Sequence, residues 1–231
     1  MTGVQTCALP IWTRGVGCDT SQVIIGAGAK HVLYNFFMAV LNEGDEVIIP
    51  SPYWVSYPDQ VRLAGGVPIF AKTSFLDGWA LTPEALEREV TQKTRAVVIN
   101  SPSNPTGSVY GRKQLSDLVN SALDLGLYVV SDEVYRDLVY DGTVFTSCVE
   151  VANEKIEKVF TVDGVSKTYA MTGWRIGWGI GDPDIVAAMG KIQGQSTSNP
   201  NSVAQVASVA ALKGPSDYLA IWKSEYKARR D

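Results

Sequence analysis

The sequence has very little histidine and cysteine. His31 is the only histidine among 231 residues, and the three cysteines, Cys7, Cys18 and Cys148, form neither a CxxC pair nor a cluster with histidine. This composition argues against structural zinc, against any metal site, and against a mechanism that needs a histidine base. So few cysteines, and an odd number of them, predict a reducing compartment, the cytoplasm.

The chain also lacks basic charge and long apolar runs. Its formal net charge is -4, so a nucleic-acid-binding surface has no electrostatic support. No apolar run reaches the roughly 18 residues that a membrane helix requires. Because 45% of the residues are hydrophobic, the chain can bury the core of one large α/β domain or two small ones. We therefore expect no nucleic-acid partner and no membrane partner.

Short apolar runs alternate with helical patterns along the chain. Strands are predicted at 23–25, 46–50, 67–71, 95–100, 127–132, 158–162 and 174–180. Helices are predicted at about 30–41, 53–63, 114–125, 183–193, 202–212 and 216–231, with one more beginning at Thr82-Pro83-Glu84. Continuously apolar strands separated by helices indicate an α/β fold with a mostly parallel sheet sandwiched between helices.

Polar or glycine-rich loops follow five of these strands, at 26–29, 51–54, 100–107, 132–135 and 164–167. In open parallel sheets, ligands bind beyond the carboxyl ends of the strands, so these loops are expected to share one rim. In the first of them, Gly28 lets an anion approach the backbone, and the free amides of Ala29 and Lys30 begin a helix. Lys30 either adds charge there or is simply solvated.

The stretch from Gly164 to Gly177 carries one lysine and one arginine between two apolar runs. Desolvation at the end of a buried strand lowers the pKa of an amine, so Lys167 is a candidate Schiff-base nucleophile. Arg175, eight residues later, offers a planar fork that fits a phosphate. A nucleophilic lysine together with a phosphate anchor suggests pyridoxal 5'-phosphate (PLP) as cofactor.

The same stretch resembles the lysine signature of the class I/II aminotransferases, PLP enzymes of the aspartate aminotransferase fold. Asn104-Pro105-Thr106-Gly107 resembles the NPTG turn of that family. The segment Ser51-Pro52-Tyr53-Trp54-Val55-Ser56-Tyr57-Pro58 resembles the bacterial aspartate/prephenate subgroup. The resemblance implies the large domain of the PLP-dependent transferase fold type I.

The resemblance also implies roles for single residues. Lys167 would carry the internal aldimine and move the substrate proton, and Asp132 would hold the protonated pyridine nitrogen. Tyr135 would be the third catalytic residue and would hydrogen-bond the phenolic oxygen of the cofactor. Asn104 would bind the same oxygen. Trp54 would stack on the cofactor ring, and both Trp54 and Asn104 would contact the substrate.

The cofactor phosphate would be held by the remaining residues of the motifs, namely Gly28, Ala29, Lys30, Ser166 and Arg175. Tyr53 is expected to pack in the core. Glu133 is expected to cap a helix or face solvent.

For domain organisation, we expect residues 1–12 to be a non-native leader and residues 13–214 to be the PLP-binding large domain. Residues 215–231 are expected to begin an interdomain helix, and the small domain that supplies the arginine for the substrate α-carboxylate would follow. The resemblance implies a homodimer. It also implies transamination between an L-amino acid, expected to be aspartate, and a 2-oxo acid, expected to be 2-oxoglutarate. The chain alone is expected to be poorly active.

Two alternatives stay open at this point. One is a PLP-dependent lyase or synthase of the same fold, because the lysine, aspartate and asparagine tune the cofactor and do not choose the bond that breaks. The other is a non-enzymatic, aminotransferase-like domain of a transcription regulator, which would need a basic DNA-binding domain.

Overall fold

A seven-stranded sheet runs through residues 18–231, the part of the chain that the computed structural model describes. Its strands are β1 (Val23–Gly26), β2 (Glu46–Ser51), β3 (Val67–Lys72), β4 (Thr94–Asn100), β5 (Tyr128–Asp132), β6 (Val159–Gly164) and β7 (Gly177–Ile180). Their order across the sheet is β1-β7-β6-β5-β4-β2-β3. Neighbouring strands pair in parallel except that β7 runs antiparallel to both β1 and β6. The predicted mostly parallel sheet is therefore confirmed.

Helices connect the strands and cover the sheet. They are α1 (Ala29–Val40), α2 (Ser56–Leu63), α3 (Pro83–Glu89), α4 (Arg112–Asp124), α5 (Pro183–Ser196), α6 (Ser202–Lys213) and α7 (Tyr218–Arg230). The predicted start of α3 is confirmed, because the Thr82 side chain accepts a hydrogen bond from the Ala85 amide at 3.3 Å. None of the helices within residues 18–231 is both long enough and apolar enough to cross a membrane.

The inner strands bury both of their faces, as the continuous apolar runs predict, whereas the edge strand β3 is partly exposed. Val47 and Ile49 of β2 belong to a core cluster that includes Phe36 of α1. Ile48, between them, belongs to a second cluster that includes Leu115 of α4 on the opposite face. Side chains alternate along a strand, so one strand serves two helical layers. The sandwich that results leaves the carboxyl ends of the parallel strands as the open rim.

One predicted strand was partly wrong. The run from Trp174 to Ile180 was expected to be extended throughout, but β7 begins only at Gly177. A 3-10 turn occupies Thr172–Trp174, and Arg175 then adopts the left-handed conformation with φ 56°. The apolar character of the run does not predict such a turn. It suggested that Trp174 is buried in a strand, but this residue is about half exposed and contributes little to the core.

The helix predicted from residue 53 also begins later, at Ser56. Tyr53 stays outside the helix and stacks on Phe70 of β3, with ring centroids 4.9 Å apart. The expected packing role of Tyr53 is thus confirmed. The predicted leader, residues 1–12, lies outside the described residues. The helix expected at residues 216–231 is present as α7, and its assignment to an interdomain connection stays a prediction.

Candidate active site

The five loops predicted to share one rim do meet there, around a cavity of about 160 Å³. Each loop follows the carboxyl end of β1, β2, β4, β5 or β6. The cavity wall contains every site residue predicted from the sequence except Gly28, namely Ala29, Lys30, Trp54, Asn104, Asp132, Tyr135, Ser166, Lys167 and Arg175. It also contains Tyr57, Asn100, Val134 and Thr172, which had not been assigned to the site.

One end of the cavity is an anion-binding turn. Gly28 has φ 90° and precedes α1, whose first amides, at Ala29 and Lys30, have no acceptor within the helix. The Arg175 guanidinium lies over this turn, because it donates to the carbonyls of Ala27 at 3.1 Å and Thr172 at 3.0 Å. A Cβ atom on Gly28 would lie 2.4 Å from Arg175 Nη2, so only glycine allows this approach. Backbone amides, a helix N-terminus and an oriented guanidinium together suit a phosphate.

Gly177 is the residue that lets β7 touch this turn. A Cβ atom there would lie 2.3 Å from the Ala29 nitrogen and 2.6 Å from the Gly28 carbonyl carbon. The neighbours of Gly177 are backbone atoms, which cannot move away as the end of a side chain can. The sequence shows a glycine at this position, but only the three-dimensional structure shows why a larger residue would not fit.

We expect Gly177→Ala to lower the free energy of unfolding by about 1–3 kcal/mol, because the new methyl group overpacks against the anion-binding turn. Urea unfolding followed by circular dichroism measures this loss. Gly173→Ala is the matched control, since nothing lies within 4 Å of a Cβ atom at that position. Equal losses in both variants would contradict the steric explanation.

Lys167 lies in the loop after β6, a strand in which every residue is buried. Its Nζ lies 5.4 Å from the centre of the Tyr135 ring. Within residues 18–231, this amine, the Ser166 hydroxyl, the Tyr135 hydroxyl and the Asn104 side-chain amide make no hydrogen bond or ion pair. Four polar groups that face one cavity and are not engaged by the protein are available to a ligand.

Asp132 is buried at the end of β5 and has a partner that the sequence interpretation missed. The hydroxyl of Tyr57 donates to Asp132 Oδ2 at 2.6 Å, and the Val134 amide donates to Oδ1 at 3.3 Å. Burial raises the pKa of Asp132, while the hydrogen bond from Tyr57, the amide and the positive charge of Lys167 pull that pKa down. Burial and the neighbouring carboxylate raise the pKa of Tyr57, which therefore stays a donor.

Trp54 and Lys30 form another part of the cavity wall. The Trp54 ring meets the Tyr57 ring edge to face, with centroids 5.2 Å apart, and Lys30 Nζ lies 5.0 Å from the Trp54 ring centre. Trp54 precedes α2 and Tyr57 lies in its first turn, where the Tyr57 amide donates to the Trp54 carbonyl at 3.1 Å. The sequence gives no signal for the bond between Tyr57 and Asp132, which are 75 positions apart.

Asn100 connects two of the loops. Its side chain accepts a hydrogen bond from the Asn104 amide at 2.7 Å and donates to the Asp132 carbonyl at 3.0 Å. The turn that carries Asn104 is therefore fixed to the end of β5. The predicted role of Asn104 needs this support, because an asparagine on a free turn would not hold one orientation.

Glu133 caps no α-helix and does not face solvent, so that expectation was wrong, although its carboxylate accepts a hydrogen bond from the Cys148 amide at the start of a 3-10 turn. Its side chain is 1% exposed, and Oε1 accepts hydrogen bonds from Ser131 at 2.8 Å and Ser147 at 2.5 Å. Oε2 lies 3.5 Å from Arg136 Nη1. The carboxylate fastens the segment around Ser147 to the end of β5, and sequence spacing gives no indication of a contact between loop residues that far apart.

Among the described residues, no group of three or more His, Cys, Asp or Glu side chains could hold a metal ion. Together, the sheet order, the lysine after β6 and the anion-binding turn define the large domain of the PLP-dependent transferase fold type I. Comparison with known proteins gives the family: the chain belongs to the aminotransferases of class I and II, whose family description matches residues 13–231.

Curated relatives agree with this assignment. The chain is 46% identical to an aspartate aminotransferase of Bacillus sp. (strain YM-2) over 209 residues, which are 90% of this chain and 53% of the relative. It is 48% identical to a probable aspartate/prephenate aminotransferase of Rickettsia bellii over 220 residues, 94% of this chain and 55% of the relative. The chain thus spans about half the length of the curated relatives that it matches.

Solved structures agree as well. The aspartate aminotransferase from Rhizobium meliloti superposes with a TM-score of 0.95 at 38% identity, over 99% of this chain and 58% of that one. The aspartate aminotransferase from Thermus thermophilus with maleate gives a TM-score of 0.92 at 39% identity, over 99% of this chain and 60% of that one. The predicted fold and family are confirmed.

Proposed function

We propose that this chain binds PLP and serves transamination between an L-amino acid and a 2-oxo acid. The observation that carries the proposal is the convergence of a free amine, a buried carboxylate and an anion-binding turn in one cavity. These are Lys167, Asp132 and the turn at Gly28, and PLP carries an aldehyde, a ring nitrogen and a phosphate that match them one by one. Membership of the aminotransferase family supports the same cofactor.

The residues present fit the cofactor. Ala29, Lys30, Ser166 and Arg175 would hold its phosphate by amides, a hydroxyl and positive charge. Trp54 would lie against the ring, and the free hydroxyl of Tyr135 and amide of Asn104 would donate to the phenolic oxygen. Asp132 is the only carboxylate in the cavity wall as far as residues 18–231 are described, so it would face the ring nitrogen.

When bound, PLP supplies an aldehyde that condenses with amines and a protonated ring that withdraws electrons from the substrate α-carbon. Asp132 would keep the proton on the ring nitrogen, because a carboxylate in a buried site favours a cationic neighbour. Tyr57 would hold that carboxylate in place and in its charged form. Lys167 Nζ would accept the proton from the substrate α-carbon and return it as a general acid.

The substrate is proposed to be aspartate, with 2-oxoglutarate as the amino acceptor. The names of the relatives support aspartate, and the maleate in the Thermus thermophilus structure is a dicarboxylate. Trp54 and Asn104 would contact the substrate. The relatives favour transamination over the lyase and regulator alternatives. The homodimer and the cytoplasmic location stay predictions.

The test is to incubate the purified 231-residue chain with PLP, reduce with borohydride and map the modified peptide by mass spectrometry. We expect a pyridoxyl group on Lys167 and on no other lysine in high yield. If the chain is folded but Lys167 stays unmodified at millimolar PLP, the proposal is wrong. Circular dichroism distinguishes that outcome from an unfolded chain.

We expect Tyr57→Phe to weaken PLP binding at neutral pH by about 10- to 100-fold, because a hydrogen bond to a charged group contributes about 1.5–3 kcal/mol. Loss of the hydroxyl also raises the pKa of Asp132. As the pH falls, the carboxylate therefore takes up its proton earlier, and PLP binding should be lost at a higher pH than in the wild type. Fluorescence titration across pH 5–9 measures both changes.

Tyr110→Phe is the control for this prediction. Tyr110 is also buried, but its hydroxyl accepts a hydrogen bond from the Leu81 amide, and the residue does not line the cavity. If the two variants lost affinity equally, the link between Tyr57 and Asp132 would not explain the result.

A further inference from the structure

The loops that carry Tyr135 and Lys167 leave adjacent parallel strands. The pairing of β5 with β6 ends at Asp132 opposite Val162, and the Glu133 amide adds one last hydrogen bond to the Val162 carbonyl at 2.8 Å. Beyond that point, the described backbone contains no hydrogen bond between the two loops. Whatever holds one loop against the other must therefore come from side chains.

A side-chain hydrogen bond spans this gap. Thr168 Oγ1 donates to Asp137 Oδ2 at 2.9 Å, and Thr168 is only 1% exposed. Thr168 directly follows Lys167, and Asp137 follows Tyr135 by two residues. The bond is partly buried, and a hydrogen bond to a carboxylate is among the stronger ones in proteins. It joins the two loops at the residue that directly follows Lys167.

Neither Asp137 nor Thr168 lines the cavity, so the pair cannot touch a ligand there. The local backbone nevertheless transmits its position. The Leu138 amide donates to the Tyr135 carbonyl at 2.8 Å, and the Ala170 amide donates to the Lys167 carbonyl at 3.1 Å. Each side of the bond is thus part of a tight turn that includes a candidate catalytic residue.

We propose that Asp137 is a positioning residue, which holds Lys167 in place beside Tyr135 by accepting the hydrogen bond from Thr168. This inference rests on the proposed function, since it concerns the same lysine. A lysine has a long, flexible side chain, so the placement of its backbone decides where the amine can react. The anion-binding turn at Gly28, Ala29 and Lys30 lies on another loop and does not depend on this bond, whereas Ser166 shares the loop of Lys167.

The test measures one rate and one affinity in the full 231-residue chain and compares the variants with the wild type. In Asp137→Ala and Thr168→Val, we expect the rate of borohydride-trapped modification of Lys167 at saturating PLP to fall roughly 10- to 100-fold. The affinity for deoxypyridoxine phosphate, which lacks the aldehyde, should stay within about threefold of the wild type. Asp137→Asn and Thr168→Ser keep an acceptor and a donor, so each should restore the rate.

The double variant Asp137→Ala/Thr168→Val should lose no more than Asp137→Ala alone, because both substitutions remove the same bond. Asp117→Ala, which removes an exposed carboxylate paired with Lys113, is the matched control. A wild-type rate in folded Asp137→Ala and Thr168→Val, or no rescue by Asp137→Asn, overturns the positioning role. A wild-type chain that binds deoxypyridoxine phosphate but does not modify Lys167 overturns the proposed function first, and the inference with it.

Discussion

Lys167→Ala is expected to abolish the pyridoxyl adduct while leaving non-covalent binding of deoxypyridoxine phosphate within about threefold of the wild type. The substitution removes the amine and most of its aliphatic stem, whereas the phosphate would still meet Ala29, Ser166 and Arg175. Where the wild-type chain supports transamination, the rate should fall by about 10⁴-fold or more, because nucleophile and proton carrier disappear together.

Lys30→Ala is the matched control for Lys167→Ala. Lys30 lies in the wall of the same cavity, but its ammonium faces the Trp54 ring and would serve only the phosphate. Its removal should weaken binding modestly and leave the adduct on Lys167 intact. An adduct that persists on Lys30 in the Lys167→Ala chain would show that the wrong lysine had been chosen.

Local patterns predicted the rim of the sheet well because each of its loops directly follows a strand that the sequence pattern identifies. The apolar runs located β1, β2, β4, β5 and β6, and the rule for parallel sheets placed their loops together. Lys167, Asp132 and Asn104 could be named because they lie in short contiguous motifs. The reactivity of Lys167 follows from residue type and from the buried strand that precedes it, whereas the roles of Asp132 and Asn104 were implied by the resemblance to the aminotransferase family.

What could not be predicted depends on contacts between distant segments. Tyr57 reaches Asp132 across 75 positions of the chain, and Glu133 reaches Ser147 across 14. Neither pair has a periodic spacing. The same holds for Gly177, whose need for glycine arises from the backbone of Ala29. Such contacts decide how firmly a site is held, whereas motifs decide which atoms it contains.

The left-handed turn at Arg175 illustrates the difference between predicting a site residue and predicting its conformation. Sequence alone paired the arginine with a phosphate by its chemistry, and the cavity wall includes it. Its place at the end of a 3-10 turn, and not on a strand, was missed because the run around it is apolar. Two backbone carbonyls orient the guanidinium there, and a strand position would not have offered them.

Asp132→Asn is expected to weaken PLP binding at neutral pH by about 30- to 3000-fold, since removing one member of a buried charge pair costs about 2–5 kcal/mol. The pH dependence gives a sharper test. Burial raises the pKa of Asp132 above its ordinary value of 3.8, so the carboxylate takes up a proton as pH falls through that raised pKa. A neutral acid cannot pair with a protonated ring nitrogen, so the affinity of the wild type should drop toward acid pH.

In Asp132→Asn this acid limb should disappear, because no group titrates at that position. Subtracting the two pH profiles of PLP affinity removes the titration of the free ligand, which is common to both, and leaves the part that depends on Asp132. Glu133→Gln is the matched control, since that carboxylate is equally buried but does not line the cavity, and Gln keeps an oxygen for Ser131 and Ser147. If the acid limb survived in Asp132→Asn and vanished in Glu133→Gln, the ring nitrogen would have to be assigned to a different partner.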